Sequence, residues 1–144
     1  MAKIRPWTEG DVPQIAEIEK SCFSAPWTES MLRDSFKSSS FCCLVAEEGG
    51  QVIGSVTFQE AADEVHIANL AVRQGYRRQG VAMSLIERLI ALAEEKGMRG
   101  LTLEVRASNA PARSLYGKMG FFEAGVRKKF YGDEDGVIMW KNLR

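Results

Sequence analysis

Leu70-Ala71-Val72-Arg73-Gln74-Gly75-Tyr76-Arg77-Arg78-Gln79-Gly80-Val81-Ala82 couples an apolar run directly to a glycine-bearing turn and then to a long amphipathic segment. A strand that feeds a helix through such a turn makes an anion site out of backbone. The first N–H groups of the helix have no intrahelical acceptors and carry the positive end of its dipole, which suits a phosphate or pyrophosphate. Gly80 and the small Ala82 let a ligand come close to the main chain, since neither places a large side chain over those N–H groups. The turn lacks the Lys-Ser/Thr pair of a nucleoside-triphosphate loop, which weakens that ligand class.

Working outward, the spacing of Leu85, Leu89 and Leu92 predicts a helix over Val81–Lys96, and Gly97 is placed to stop it. The run Gly100-Leu101-Thr102-Leu103-Glu104-Val105 predicts the next strand. A helical connection favours its parallel pairing with the strand Val65–Val72. Ser108 or Asn109 can cap a helix over Ala110–Met119, in which Pro111 fits only near the start, and Gly120 ends it. The runs Phe121–Tyr131 and Val137–Asn142 predict two closing strands around the acidic turn Gly132-Asp133-Glu134-Asp135-Gly136.

Towards the N-terminus, Ile4 lies in a short strand, and Thr8 with Asp11 can begin a helix reaching Ser21, with Ile15, Ile18 and then Cys22 as its apolar stripe. Thr28 can cap a second helix carrying Met31, Leu32 and Phe36. Phe41–Glu47 and Gln51–Gln59 read as a hairpin closed by Glu48-Gly49-Gly50. The expected architecture is a mixed α/β domain spanning 1–144, with hairpin character at the chain ends and alternation of helix and strand around the anion site.

Composition narrows the function classes. The chain has 144 residues, 45% of them hydrophobic, enough for one domain with a proper core. Lys plus Arg and Asp plus Glu both number 19, and this zero formal charge argues against broad binding to nucleic acid or acidic membranes. The start Met1-Ala2-Lys3-Ile4-Arg5 has no secretory character, and no long apolar run follows. Cys22, Cys42 and Cys43 lack metal-ligand spacing and suit reduced thiols, so a cytoplasmic protein with no metal is expected.

Arg77-Arg78-Gln79-Gly80-Val81-Ala82 resembles the R/Q-x-x-G-x-G/A signature of the GNAT acyltransferase superfamily. Leu103-Glu104-Val105-Arg106-Ala107-Ser108-Asn109, Ala112 and Leu115-Tyr116-Gly117-Lys118-Met119-Gly120-Phe121 resemble its bacterial RimI-type, ribosomal-protein alanine N-acetyltransferase branch. Pro26-Trp27-Thr28, Tyr131 and Ile138-Met139 extend the likeness over essentially the whole chain. The resemblance implies a GNAT-like, mostly antiparallel sheet with a central, splayed parallel strand pair and flanking helices. It implies acetyl-CoA as cosubstrate, its pyrophosphate on the backbone of Arg78, Gln79, Gly80, Val81, Ala82 and Met83, with Arg77 also in the cofactor site, its pantetheine along Leu70, Ala71 and Val72, and Asn109 against the same molecule. An extended pantetheine carries amide donors and acceptors, so it can pair with a strand edge as an added strand would.

The same resemblance makes Glu104 the general base, directly or through water, and Tyr116 the acid that protonates the departing sulfur. The implied reaction is direct transfer in a ternary complex to the N-terminal alanine of the eighteenth small-subunit ribosomal protein. Trp27 and Tyr131 are then candidate walls of a cleft for that protein's N-terminal peptide, and a monomer is compatible with this reading, the oligomeric state being left open by the sequence. An α-amino group titrates near ~8 and lysine near ~10.4, so a modestly placed carboxylate serves for the former.

Each of these residues also has a plainer role open to it. Glu104 can pair with a neighbouring arginine, Tyr116 can be core, Asn109 can be an N-cap, Arg77 and Arg78 can be solvated, and His66, the only histidine, reads as a packed or surface residue before it reads as a base. The acidic turn can attract a basic peptide or remain a solvated loop. The alternatives for function are acetylation of lysine side chains or small-molecule amines and, in a different class, a noncatalytic acyl-CoA sensor. Phe130 stands where a frequent Tyr-Tyr pair has its first tyrosine and Gly136 where an alanine is common, departures that bear on peptide choice.

Overall fold

The computed structural model describes residues 2–143. In chain order the elements are β1 (Lys3–Pro6), a single 3-10 turn at Glu9–Asp11, α1 (Val12–Cys22), α2 (Glu29–Ser38), β2 (Cys42–Glu48), β3 (Gln51–Ala61) and β4 (Glu64–Val72). They continue with α3 (Val81–Glu95), β5 (Gly100–Arg106), α4 (Ala110–Lys118), β6 (Phe122–Arg127) and β7 (Gly136–Asn142). The strands hydrogen-bond in the order β1-β2-β3-β4-β5-β7-β6, mostly antiparallel with one parallel pair, β4–β5. The mixed α/β expectation therefore holds. No helix of the described residues is long and apolar enough to cross a membrane.

The chain divides into two compact units, one of residues up to 59 together with 69–89, the other of residues 60–68 together with 90 onward. In the first unit, α1 lays Val12, Ile15 and Ile18 against Leu32 of α2, Cys43 and Val45 of β2, Val52 of β3 and Ala71 of β4. The chain entry is pinned by Arg5, which binds the Asp11 carboxylate at 2.8 and 2.9 Å and Glu47 at 2.7 Å, while Thr8 N–H donates to Asp11 at 2.7 Å. Thr28 caps α2 as its sequence position predicts, accepting from Met31 N–H at 3.2 Å. Gly54 of β3 sets the seat of α3: a Cβ there would come 3.0 Å from Val81 Cγ1 and 3.2 Å from the Ala71 carbonyl. Bare backbone at this point lets the first turn of the helix lie close on the sheet.

In the second unit, the parallel ladder runs from Glu64↔Gly100 to Ile67↔Leu103, and β5 pairs with β7 along its length, Glu104 opposite Ile138. Alternation buries Val65, Ile67, Leu101, Leu103 and Val105 on one face. His66, Thr102, Glu104 and Arg106 fall on the other, half-exposed face.

Two expectations are corrected here. The strand predicted over Phe121–Tyr131 stops at Arg127, because Lys129 takes a left-handed φ of 55° and Phe130 N–H closes a turn onto the Arg127 carbonyl at 3.3 Å. Tyr131 therefore sits in a loop. On α3 the fully buried stripe is Val81, Leu85, Ile86, Leu89 and Ala93, with Leu92 only half-buried. The spacing of four after Leu89, rather than three, is the one the packing selects.

Candidate active site

The first site element is the β4–α3 turn. Arg73 fastens the strand end: its N–H donates to the Ile53 carbonyl at 2.7 Å, its Nε to the Val52 carbonyl at 3.1 Å, and its guanidinium pairs with Glu17. Arg77 folds back rather than reaching out, donating from Nε to the Val72 carbonyl at 3.2 Å and from Nη2 to Cys22 Sγ at 3.4 Å. Gln79 Nε2 closes the loop onto the Gly75 carbonyl at 3.3 Å. Gly80 has a φ of 78°, and its carbonyl accepts the first helical bond, from Ser84 N–H at 2.9 Å. Helical geometry leaves the N–H groups of Val81, Ala82 and Met83 without intrahelical acceptors. A Cβ on Gly80 would meet no protein atom within 4 Å, so the position combines a backbone demand for glycine with open space beside those donors. Arg78, also left-handed at φ 65°, is exposed next to it.

The second element gathers around Glu104, in the other unit. Its Oε2 lies 2.8 Å from His66 Nε2 and its Oε1 accepts from Arg127 Nη1 at 3.0 Å. Only a tenth of the Glu104 side chain is exposed, against 39% of His66 and 56% of Arg127. The hydrogen bond from His66, reinforced by Arg127, holds the Glu104 carboxyl below the usual carboxylate range despite its burial. The same bond raises the His66 imidazole above its ordinary value, against desolvation and Arg127. With Glu104 ionised, and so acceptor only, the His66–Glu104 bond is an Nε2–H donating to Oε2.

Tyr116 is buried, its ring edge-on to Phe121 at 5.4 Å. Burial first, and the neighbouring Tyr131 second, push its hydroxyl well above the ordinary tyrosine value. It is therefore a neutral O–H at physiological pH: it carries a proton, is a weaker acid than an exposed tyrosine, and is unfit as a base. Tyr131 is raised by burial and by the charge of Glu104, and Arg106 stacks over its ring at 4.5 Å.

Residues 12–121 match the acetyltransferase (GNAT) family. A relative from Bacillus subtilis (strain 168) is 37% identical over 99% of this chain and 96% of its own length. The Escherichia coli (strain K12) ribosomal protein bS18-alanine N-acetyltransferase is 35% identical over 90% of this chain and 89% of its own. The crystal structure of the ribosomal-protein-S18-alanine N-acetyltransferase from Escherichia coli superposes with a TM-score of 0.88 at 34% identity, covering 99% of this chain and 94% of that one. Ard1 from Thermoplasma volcanium gives a TM-score of 0.90 at 26% identity, over 99% and 98%. The chain belongs to the GNAT acetyltransferase family.

As a GNAT protein it is an acetyl-CoA-dependent N-acetyltransferase, and the remaining residues singled out from sequence can be placed in it. Asn109 caps α4, its Oδ1 accepting from Ala112 N–H at 3.1 Å. Trp27 packs at the edge of the first unit's core, edge-on to Phe41 at 4.8 Å, with its N–H on Glu19 at 3.1 Å. Leu70, Ala71 and Val72 follow the last parallel pair of β4. The acidic turn is ion-paired and hydrogen-bonded even though the Asp133 side chain stays exposed. Arg106 pairs with Asp133 at 2.7 Å and Glu134 at 3.3 Å, Ser108 N–H and Oγ donate to Glu134 at 3.1 and 2.9 Å, and Asp135 accepts from Lys129 N–H at 2.9 Å. Gly136 and Phe130 lie against each other: a Cβ on Gly136 would lie 3.1 Å from Phe130 Cβ, so the glycine makes room for that ring.

Sequence reasoning set His66 aside and left Arg127 unnamed, and both bind Glu104. The period-two alternation puts His66 and Glu104 each on a strand face. Only the β4–β5 register, His66↔Thr102, turns those into the same face two residues apart.

Proposed function

We propose that this N-acetyltransferase transfers the acetyl group of acetyl-CoA directly to the α-amino group of an N-terminal alanine, with the N-terminal peptide of ribosomal protein bS18 as its acceptor. Acetyl-CoA supplies the thioester carbonyl that the amine attacks. The N–H groups of Val81, Ala82 and Met83, beside the unobstructed Gly80, suit its pyrophosphate, with Arg78 and Gln79 flanking them. Leu70–Val72 pair with its pantetheine in the manner of an added strand. Asn109 contributes beyond its cap through the amide nitrogen that the cap leaves unused. Arg77 acts indirectly, by fixing the end of β4.

The observation that carries this reading is the ionised Glu104, held between His66 and Arg127. Its negative charge draws the proton off the acceptor ammonium, directly or through a water, and an α-ammonium near ~8 gives up that proton far more readily than lysine near ~10.4. Tyr116, kept neutral by burial, gives its proton to the departing sulfur. Trp27 and Tyr131 are proposed as contacts of the peptide. Similarity to the Escherichia coli bS18-alanine N-acetyltransferase, at 35% identity over 90% of this chain, supports the choice of acceptor.

Mass spectrometry after incubation with acetyl-CoA tests this. The bS18 N-terminal peptide is expected to gain one acetyl group on its α-amine. An N-terminally blocked, lysine-containing peptide is expected to gain none, and the reverse pattern would replace the α-amine with lysine as the acceptor.

A further inference from the structure

We propose that His66 and Glu104 form one proton-accepting pair, in which His66 Nδ1 takes the acceptor's proton through a water while Glu104 holds the imidazole by its Nε2–H. This rests on the reading of the site as an amine acetyltransferase and refines it: the proton's resting place moves from Glu104, the base of that reading, to His66, which Glu104 orients and whose cation it stabilises.

Geometry favours the imidazole as the place where the proton comes to rest. Both oxygens of Glu104 are already engaged, Oε2 by His66 and Oε1 by Arg127, and the carboxylate is nearly closed to solvent. His66 is four times as exposed in side-chain terms, 39% against 10%. Once Nε2–H is committed to Glu104, Nδ1 carries the free lone pair, and no group of the described residues donates to it. The arrangement is a carboxylate orienting a histidine and stabilising the imidazolium that forms, the logic of a carboxylate–histidine pair in other group transfers.

The charged groups facing His66 are Glu104 from β5, which raises its basicity, and Arg127 from β6, which opposes it. Glu104 in turn faces Tyr131 from the loop after β6. The balance leaves the imidazole more basic and the carboxylate less basic than either would be alone, which concentrates the pair's proton affinity on the histidine.

In the step itself, an N–H bond of the acceptor ammonium breaks and its electron pair becomes the nucleophilic lone pair on nitrogen. The proton passes through the water to Nδ1, where a new N–H bond forms. The resulting imidazolium keeps its Nε2–H on the Glu104 carboxylate and returns the extra proton to solvent from its exposed edge. No oxidant or further reactant is consumed.

His66 is the only histidine in the chain, so its imidazole signals in an NMR titration of the full-length protein need no assignment. The expected midpoint lies above the ordinary value near ~6.5 and drops in Glu104→Gln. The second arm compares kcat/KM of wild type and His66→Gln with an alanine-starting peptide across pH. The glutamine amide can still donate to Glu104, and the acceptor's own titration cancels in the ratio of the two proteins. That ratio is expected to rise through the NMR midpoint to a plateau of roughly a hundred, with KM for acetyl-CoA unchanged. A ratio that stays near one, or is independent of pH, overturns the proposal while leaving the acetyltransferase reading intact. So does an NMR midpoint at or below the ordinary value that Glu104→Gln does not move. A wild-type protein that acetylates no amine defeats the functional reading, and this proposal with it, even where the titration shows the pair.

Discussion

Asn69 Nδ2 donates to both carboxylate oxygens of Glu19, at 2.9 and 3.1 Å, and Glu19 is 1% exposed. Trp27 N–H supplies a third donor at 3.1 Å. One buried carboxylate thus ties α1 to the segment before α2 and to the residue of β4 that precedes Leu70. Asn69→Ala removes two of these bonds and leaves a buried charge under-satisfied. The expected loss is about 1–3 kcal/mol, read from the urea midpoint at pH 7. Burial raises the Glu19 carboxyl above the usual range. Between its unfolded value near ~4.3 and that raised native value the native state binds more protons than the unfolded chain, so this group makes stability fall as pH rises. Glu19→Gln is expected to flatten that part of the stability–pH curve, and an unchanged slope would assign it to another group.

A second consequence concerns the seat of α3. In Gly54→Ala the new Cβ must displace Val81 or the Ala71 carbonyl, at 3.0 and 3.2 Å, and backbone does not yield as a flexible side chain would. Overpacking of this kind typically costs about 1–3 kcal/mol. Because Val81 opens the helix whose N–H groups are assigned to the pyrophosphate, acetyl-CoA KM should rise as well. Denaturant melts and donor titration of the same variant separate the two effects, and a destabilised protein with unaltered acetyl-CoA KM would detach the helix start from the donor.

Local chemistry made much of this legible. The Thr28 and Asn109 caps, the limits of α3 and the strand–turn–helix at Gly80 depend on residues close in sequence, and each was readable from type and spacing. What escaped depends on pairing across distance. His66 and Glu104 are 38 positions apart, and nothing in either segment states that the ladder aligns His66 with Thr102. Likewise, the early end of β6 follows from a left-handed Lys129 whose N–H is held by Asp135 after the loop has closed. Arg77 is a further case: its bonds from Nε to the Val72 carbonyl and from Nη2 to Cys22 follow from the folded chain and not from its place in the signature.

The two proposed proton-handling ends should differ in weight. Glu104→Gln removes the negative charge from the pair and is expected to lower kcat by roughly a hundredfold or more, with acetyl-CoA KM unchanged. Tyr116→Phe keeps the edge-on packing with Phe121 and removes only the hydroxyl. A thiolate, with its parent thiol near ~8.5, leaves without full protonation, so the loss there should be nearer tenfold. Single-turnover rates with the bS18 peptide measure both. Equal losses, or a larger one at Tyr116, would shift the burden to the leaving group.

The acidic turn yields a prediction opposite to simple attraction of a basic peptide. Asp133 and Glu134 are held below their ordinary values, Asp133 chiefly by Arg106 and Glu134 chiefly by Ser108, so both carboxylates are engaged in holding the loop. Neutralising Asp133, Glu134 and Asp135 together should leave the salt dependence of a basic peptide's KM unchanged, whereas a long-range attraction by these carboxylates would make KM rise with salt in the wild type and not in the variant. The same variant should instead loosen the loop that carries Phe130 and Tyr131, seen as faster amide exchange there. The pH dependence has a fixed sign. Both carboxylates have depressed native values, so their contribution is fully present above about 4 and disappears as pH falls through the lower native values. Exchange in the wild-type loop, corrected for the intrinsic rate, should accelerate over that acid range, while the triply neutralised loop should already be open and show no such step.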